Sequence, residues 1–269
     1  MDADQLTSTP EVPATAAESP LAVVLLSGGM DSLTAAGVAL RDGCALALIH
    51  FNYGQRTEEA EYRAFLKIAD FFAVPEQRRL VVHTNFFALA GGSALTSSKV
   101  AVPAANLDSK EIPVTYVPFR NAVLLSMAVG WAEVLGAKRV YYGAVSQDSS
   151  GYPDCRPSFI EAFNRLVAEG TKPGSGIEVR APLVAMTKAQ IVQTAREMGL
   201  PLEATWSCYV RNDFACGVCD SCALRLRGFE QAGVQDPIAY KRPVSFSGEA
   251  ARERVRRLSV LLRALTRVS

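Results

Sequence analysis

The strongest constraint on the fold is an alternation of short apolar runs with stretches of helical periodicity. Residues 21–26, 44–51, 79–83, 139–143 and 179–182 read as strands, and 32–40, 57–72, 121–135, 157–168 and 187–198 as helices. Local punctuation agrees: Pro157 sits at a helix first turn, Gly136 stops one helix, and Gly199 and Pro201 end another. Apolar strands separated by helices predict an α/β fold with a parallel sheet covered on both faces. Ligands of such sheets bind beyond the carboxyl ends of the strands, so functional residues are sought there.

Bulk properties narrow the class. The chain has 269 residues, 49% of them hydrophobic, which suffices for one substantial domain with a small appendage. No apolar run reaches the roughly 20 residues of a membrane helix. The acidic start lacks the basic and apolar regions of a signal peptide, which predicts a cytoplasmic protein without a membrane partner. Residues 1–20, rich in Thr, Pro, Ala, Glu and Ser, are expected to be disordered. Residues 241–269 hold eight basic and two acidic side chains, leaving 20 basic and 25 acidic ones elsewhere. A body with that balance lacks the broad positive field of a nucleic-acid binder.

The string Ser27-Gly28-Gly29-Met30-Asp31-Ser32 follows the first strand and opens a helix. Two glycines allow close backbone approach to an anion, and free helix amides face its oxygens. Ser27 and Ser32 add hydroxyls. Asp31 would repel phosphate unless a cation intervenes, so it reads as a Mg²⁺ ligand. The Gly-Lys-Ser/Thr ending of a Walker A loop is missing. The string resembles the signature of N-type ATP-pyrophosphatases (PP-loop enzymes), with Leu26 leading into it. The resemblance implies cleavage of ATP between its α- and β-phosphates and transfer of AMP to a substrate oxygen.

Cys208, Cys216, Cys219 and Cys222 form a C-x₇-C-x₂-C-x₂-C array. Clustering of this kind in a cytosolic chain favours metal binding over disulfides. Four thiolates at this spacing suit a closed, structural Zn²⁺ site. An iron–sulfur cluster is the competitor. Against it, the fourth cysteine lies close upstream and no Cys-Pro follows. Gly217 and Asp220 read as tight turns around the ion.

Further strings sit near strand ends: residues 53–56, 117–121, 150–156 and 205–209. Together with the glycine loop and the cysteine array, they resemble the 7-cyano-7-deazaguanine synthase family of the queuosine pathway, over about residues 21–229. The chain departs from the family pattern at Asn52 and Thr57, where Asp and His are usual, and at Val145 and Ser149, where Asn and Tyr are. The resemblance implies a zinc-containing homodimer that converts 7-carboxy-7-deazaguanine, ATP and ammonia into the 7-cyano base. It implies a PP-loop domain over 21–205, a Cys₄ zinc segment over 206–230 and a basic amphipathic tail over 231–269.

In that family setting, Arg120 and Lys188 are expected to contact phosphate or the acyl-adenylate; read alone, each is a surface charge at a helix start. Asp154 and Arg156 would contact the purine-like ring and its carboxylate, and Tyr152 would stack on the base or pack in the core. Asp148 is a second acidic contact or a turn residue. Cys155 reads as a packed or substrate-adjacent thiol, and His50 and His83 as structural. Residues 84–117 are expected to form a mobile segment over the site. Alternatives in view are a diverged PP-loop relative adenylating another carboxylate, a tRNA-modifying PP-loop enzyme, and a nucleic-acid-binding zinc module. The acidic body argues against the last two. The tail's apolar positions recur every three to four residues, as on a helix packed against the body or a dimer mate.

Overall fold

A computed structural model describes residues 19–109, 111–146 and 151–241. The N-terminal extension to residue 18, Asp148, Ser149 and the tail from residue 242 lie outside the described residues.

Among the described residues, five strands and seven α-helices follow one another: β1 (Leu21–Leu25), α1 (Met30–Arg41), β2 (Ala45–Asn52), α2 (Glu58–Phe71), β3 (Arg79–His83), α3 (Phe86–Ala90), α4 (Arg120–Leu135), β4 (Arg139–Tyr141), α5 (Pro157–Gly170), β5 (Glu178–Arg180), α6 (Lys188–Glu197) and α7 (Asp220–Gln231). The sheet is wholly parallel, in the order β3-β2-β1-β4-β5. The central strand explains the unbroken apolar runs. Ala22, Val24 and Leu26 enter one core cluster with α1, α2 and α6, while Val23 enters a second cluster with α4 and α5. Every side chain of a doubly covered strand meets a core, so no polar alternation survives.

The order reverses direction between β1 and β4, which opens a crevice at their carboxyl ends. Its width is set by small residues. A Cβ on Gly143, just after β4, would lie 2.7 Å from the Asp31 carbonyl carbon and 2.8 Å from the Ser32 nitrogen. Glycine there lets β4 approach the start of α1.

Two segments carry detail that the sequence does not show, and one of them corrects an expectation. Residues 84–117 include α3, and Arg56 draws the stretch after it inward: its guanidinium donates to the carbonyls of Ala94 (2.7 Å), Ser97 (2.6 Å) and Val100 (2.5 Å). The Ala105 and Asn106 amides then bond the Val218 carbonyl and the Asp220 carboxylate. Asp220 marks no turn; it begins α7, with Cys219 as the N-cap. Only Gly217, at φ +75°, has the predicted turn geometry. No helix among the described residues is long and apolar enough to cross a membrane.

Candidate active site

The crevice holds a cavity of about 290 Å³. Leu26, Ser27, Gly29, Met30, Asp31 and Ser32 all line it. Gly28 does not. At φ +88° it makes the turn, and a Cβ there would meet the Glu61 carbonyl at 2.6 Å and the Ala64 side chain at 2.9 Å. The two glycines therefore divide the work. Gly28 lets α2 press against the loop, and Gly29, whose Cβ position has no neighbour closer than 3.4 Å, leaves the backbone open to an anion.

Hydroxyls brace the loop. Ser27 Oγ donates to Ser32 Oγ (3.1 Å), which donates to the Gly29 carbonyl (2.9 Å). The Leu26 carbonyl accepts from His50 Nδ1 at 2.8 Å, and the Trp206 amide donates to the Gly28 carbonyl at 2.9 Å. His50 is buried, with Phe65 stacked on its ring, and desolvation lowers its pKa. A neutral ring that donates from Nδ1 is the form that suits the Leu26 carbonyl.

Lys188 opens α6 behind a Thr187/Gln190 capping box and reaches Asp31 Oδ2 at 2.5 Å. The other Asp31 oxygen, Oδ1, is buried with no hydrogen-bond partner. A hard cation at Oδ1 would complete the carboxylate, so the residues present fit Mg²⁺. Gly228 of α7 seats Lys188: a Cβ there would fall 2.7 Å from the lysine Cβ.

Across the cavity Arg120 opens α4. It donates to Tyr53 Oη at 2.9 Å. Desolvation works against its charge, but the hydroxyls of Tyr53, Tyr152 and Tyr209 outweigh it and raise its pKa, so it remains a cation. Phe119 before it adopts a left-handed φ of +57°, a cost for a bulky residue of the kind concentrated at functional sites.

The Tyr152–Arg156 stretch is split by the fold. Tyr152 and Cys155 line the cavity; Asp154 and Arg156 do not. The Tyr152 hydroxyl pairs with Thr115 at 3.2 Å. Asp154 is buried and spends Oδ2 on the Asn121 amide (2.9 Å), bracing the α4 N-terminus. Arg156 is exposed at the α5 N-cap. Burial, with Asp154 adding to it, pushes the Cys155 thiol up to about 11. A protonated thiol is no nucleophile.

Several lining residues went unread in the sequence. Glu61 stands one α2 turn from Thr57, and its carboxylate accepts from Thr57 Oγ1 (2.7 Å) and Gln55 Nε2 (3.2 Å). The Tyr142 hydroxyl and the Trp206 indole nitrogen are buried, line the cavity and have no hydrogen-bond partner. The only available signal was position, Tyr142 just past a strand end and Trp206 in a string noted for its cysteine.

Beyond the cavity, the sulfurs of Cys208, Cys216, Cys219 and Cys222 all lie within 4.8 Å of one another, with Cys216 and Cys222 at 3.9 Å. Bonds of about 2.3 Å to one tetrahedral ion put sulfurs about 3.8 Å apart. Backbone amides of Val210, Cys216 and Cys219 point at these sulfurs (3.3–3.4 Å), and the N-terminus of α7 faces them, which favours thiolates. The donor set fits a single soft-ligand ion.

Residues 21–233 match the sequence profile of QueC, described as "Queuosine biosynthesis protein QueC". The 7-cyano-7-deazaguanine synthase of Chloroherpeton thalassium is 55% identical over 82% of this chain and 96% of its own. That of Koribacter versatilis is 58% identical over 81% and 92%. A solved 4-thiouridine synthetase–RNA complex with bound ATP has a TM-score of 0.43 at 19% identity, covering 80% of this chain and 50% of that one.

Proposed function

The chain belongs to the QueC family of queuosine biosynthesis proteins, and on that premise we propose that it is an ATP-dependent carbon–nitrogen ligase forming 7-cyano-7-deazaguanine from 7-carboxy-7-deazaguanine and ammonia. The observation that carries the reading is the coincidence of the family match, residues 21–233, with a crevice walled by the glycine loop, Lys188 and Arg120.

Turning a carboxylate into a nitrile removes two oxygens, and neither leaves carbon readily as oxide or hydroxide. Each must first join a good leaving group, and AMP is one. Adenylation of the carboxylate gives a mixed anhydride that ammonia converts to the amide. Adenylation of the amide oxygen and loss of AMP gives the nitrile. One site serves both rounds, because each presents an oxygen to the same α-phosphate.

The loop at residues 27–32 binds the departing pyrophosphate through backbone amides at the α1 N-terminus. Lys188 and Arg120 offset phosphate charge from opposite walls. Tyr152, over the cavity, orients the base. Asp31, through its unpartnered Oδ1, would hold Mg²⁺, which would supply positive charge to offset that of the phosphates. The four cysteines would hold Zn²⁺, which supplies structure rather than chemistry, since a Cys₄ shell leaves no open position. A four-iron cube would spread its thiolates more widely than the close-set sulfurs here. Asp154, outside the cavity lining, holds the α4 N-terminus through the Asn121 amide, and Arg156 sits exposed at the α5 N-cap; both remain the expected polar contacts to the ring and its carboxylate. The enzyme works in the cytoplasm as a homodimer on a free base, without nucleic acid, in keeping with its acidic body.

The test is a product assay with 7-carboxy-7-deazaguanine, ATP and ammonium. AMP, pyrophosphate and the nitrile are expected together. Adenylation of other carboxylates in preference to this one would remove the substrate assignment.

A further inference from the structure

Ammonia chemistry needs a proton acceptor that the glycine loop does not supply. At neutral pH the nitrogen source is almost wholly ammonium, which has no lone pair for attack. Two carboxylates line the cavity among the described residues, Asp31 and Glu61. Asp31 is committed to Lys188 at 2.5 Å and sits among the phosphate ligands. The cavity-lining thiol, Cys155, has its pKa pushed up to about 11 and so stays protonated. The histidine nearest the loop, His50, does not line the cavity and is committed through Nδ1 to the Leu26 carbonyl.

Glu61 differs from all of these. It projects from the first turn of α2, the helix that Gly28 lets press against the phosphate loop. Its carboxylate is half-buried and carries two neutral donors, Thr57 and Gln55, with no Lys, Arg or His within salt-bridge distance among the described residues. We propose that Glu61 binds ammonium in the cavity and accepts its proton, delivering ammonia to the acyl-adenylate. The inference rests on the function proposed above and adds the residue that handles the nitrogen.

Ammonium passes one proton to the Glu61 carboxylate. The freed lone pair forms the C–N bond, and the C–O bond to AMP breaks with its electron pair leaving on the phosphate oxygen. A second proton departs from nitrogen to solvent, leaving the neutral amide, and Glu61 returns its own proton to solvent. No oxidant or further reactant is involved.

Charge around Glu61 is compatible with this role. Desolvation raises its pKa; the Thr57 and Gln55 hydrogen bonds and the Arg120 charge across the cavity lower it in part, and Glu58 on the same helix raises it further. Tyr53, whose own pKa burial raises, stays neutral. A raised carboxyl pKa brings the base closer to working pH, where proton transfer is most effective.

The experiment compares wild type with Glu61→Gln and Glu61→Asp, using the full chain. ATP–pyrophosphate exchange without ammonium reports adenylation alone. In Glu61→Gln, exchange stays at the wild-type level, while amide formation from ammonium at neutral pH falls at least about 10²-fold. The acid limb of the wild-type pH profile disappears. The deficit narrows as pH rises and free ammonia accumulates, and hydroxylamine, uncharged at neutral pH, restores turnover to a hydroxamate. Glu61→Asp keeps the acid limb. Equal loss of exchange and amide formation would make Glu61 a nucleotide contact and overturn the inference. So would a deficit independent of pH, or wild-type amide rates. Absence of exchange in the wild type would instead defeat the underlying function.

Discussion

The glycine loop and the cysteine array are both short, glycine-punctuated segments at the start of a helix, yet they end in opposite states. The array closes on itself: its sulfurs face one another and take bonds from backbone amides. The loop ends open, with Asp31 Oδ1 unpartnered and the Trp206 indole and Tyr142 hydroxyl unpartnered beside it. A site for a resident ion is satisfied within the fold. A site for ligands that come and go keeps polar groups whose partners arrive with the substrate, at a cost in stability.

The two are also joined. The Trp206 amide bonds the Gly28 carbonyl two residues before Cys208, and Gly228 of α7 seats Lys188. Buried Arg225 ties the connection together, with both nitrogens of its fork on Asp236 (2.7 and 2.9 Å) and a further bond to Thr205 (2.6 Å). The segment that carries the array thus forms one wall of the cavity.

That contrast predicts a graded series. The largest effect is expected at the array. Cys219→Ser removes one ligand of a closed shell whose binding is coupled to folding, and should yield little soluble protein; recovery of a normal thermal transition and full metal content would contradict it. Next is Asp31→Asn, which leaves the fold and its unfolding temperature intact but lowers kcat at least about 10²-fold, in line with removal of one electrostatic stabiliser. A well-folded variant with normal kcat would show that Asp31 is no part of the phosphate machinery.

Tyr142→Phe should separate stability from function. Deleting a buried hydroxyl without a partner relieves a desolvation cost of about 1–3 kcal/mol, so the ligand-free protein should unfold at a higher temperature while kcat/KM falls. A lower unfolding temperature would mean the hydroxyl is bonded in the free protein. The smallest effect concerns His50. Its folded pKa lies below the ordinary value of about 6.5. As pH falls below that value the unfolded chain takes up the proton first, so stability declines by at most about 1.4 kcal/mol per pH unit. Above it the contribution is fully present. His50→Gln should flatten this part of the stability profile; an unchanged slope would assign it to other groups.

Sequence carried the strands, the parallel sheet, the loop and the array because each is written in local spacing: apolar runs, adjacent glycines, cysteines three apart. It singled out Arg120 and Lys188 only through the family resemblance, since each alone reads as a surface charge at a helix start, and the fold places both at the cavity. It did not reveal that Gly28 and Gly143 serve helix and strand approach, because those contacts come from distant residues. Nor did it reveal that Asp154 braces α4 through the Asn121 amide, a pairing 33 residues apart. Glu61 and Tyr142 escaped notice for the same reason: nothing beside them in the chain marks them, and only the fold brings them to the cavity. Helix α7 was hidden by the cysteines that begin it, which drew the reading toward turns.

The most direct test of the account is the stoichiometry of one complete turnover. Two successive adenylations at a single loop require two AMP and two pyrophosphate for each nitrile formed, and supplying the amide in place of the carboxylate should halve that demand. Release of ADP and phosphate, or an amide that the enzyme fails to convert, would contradict the account even if the nitrile were made.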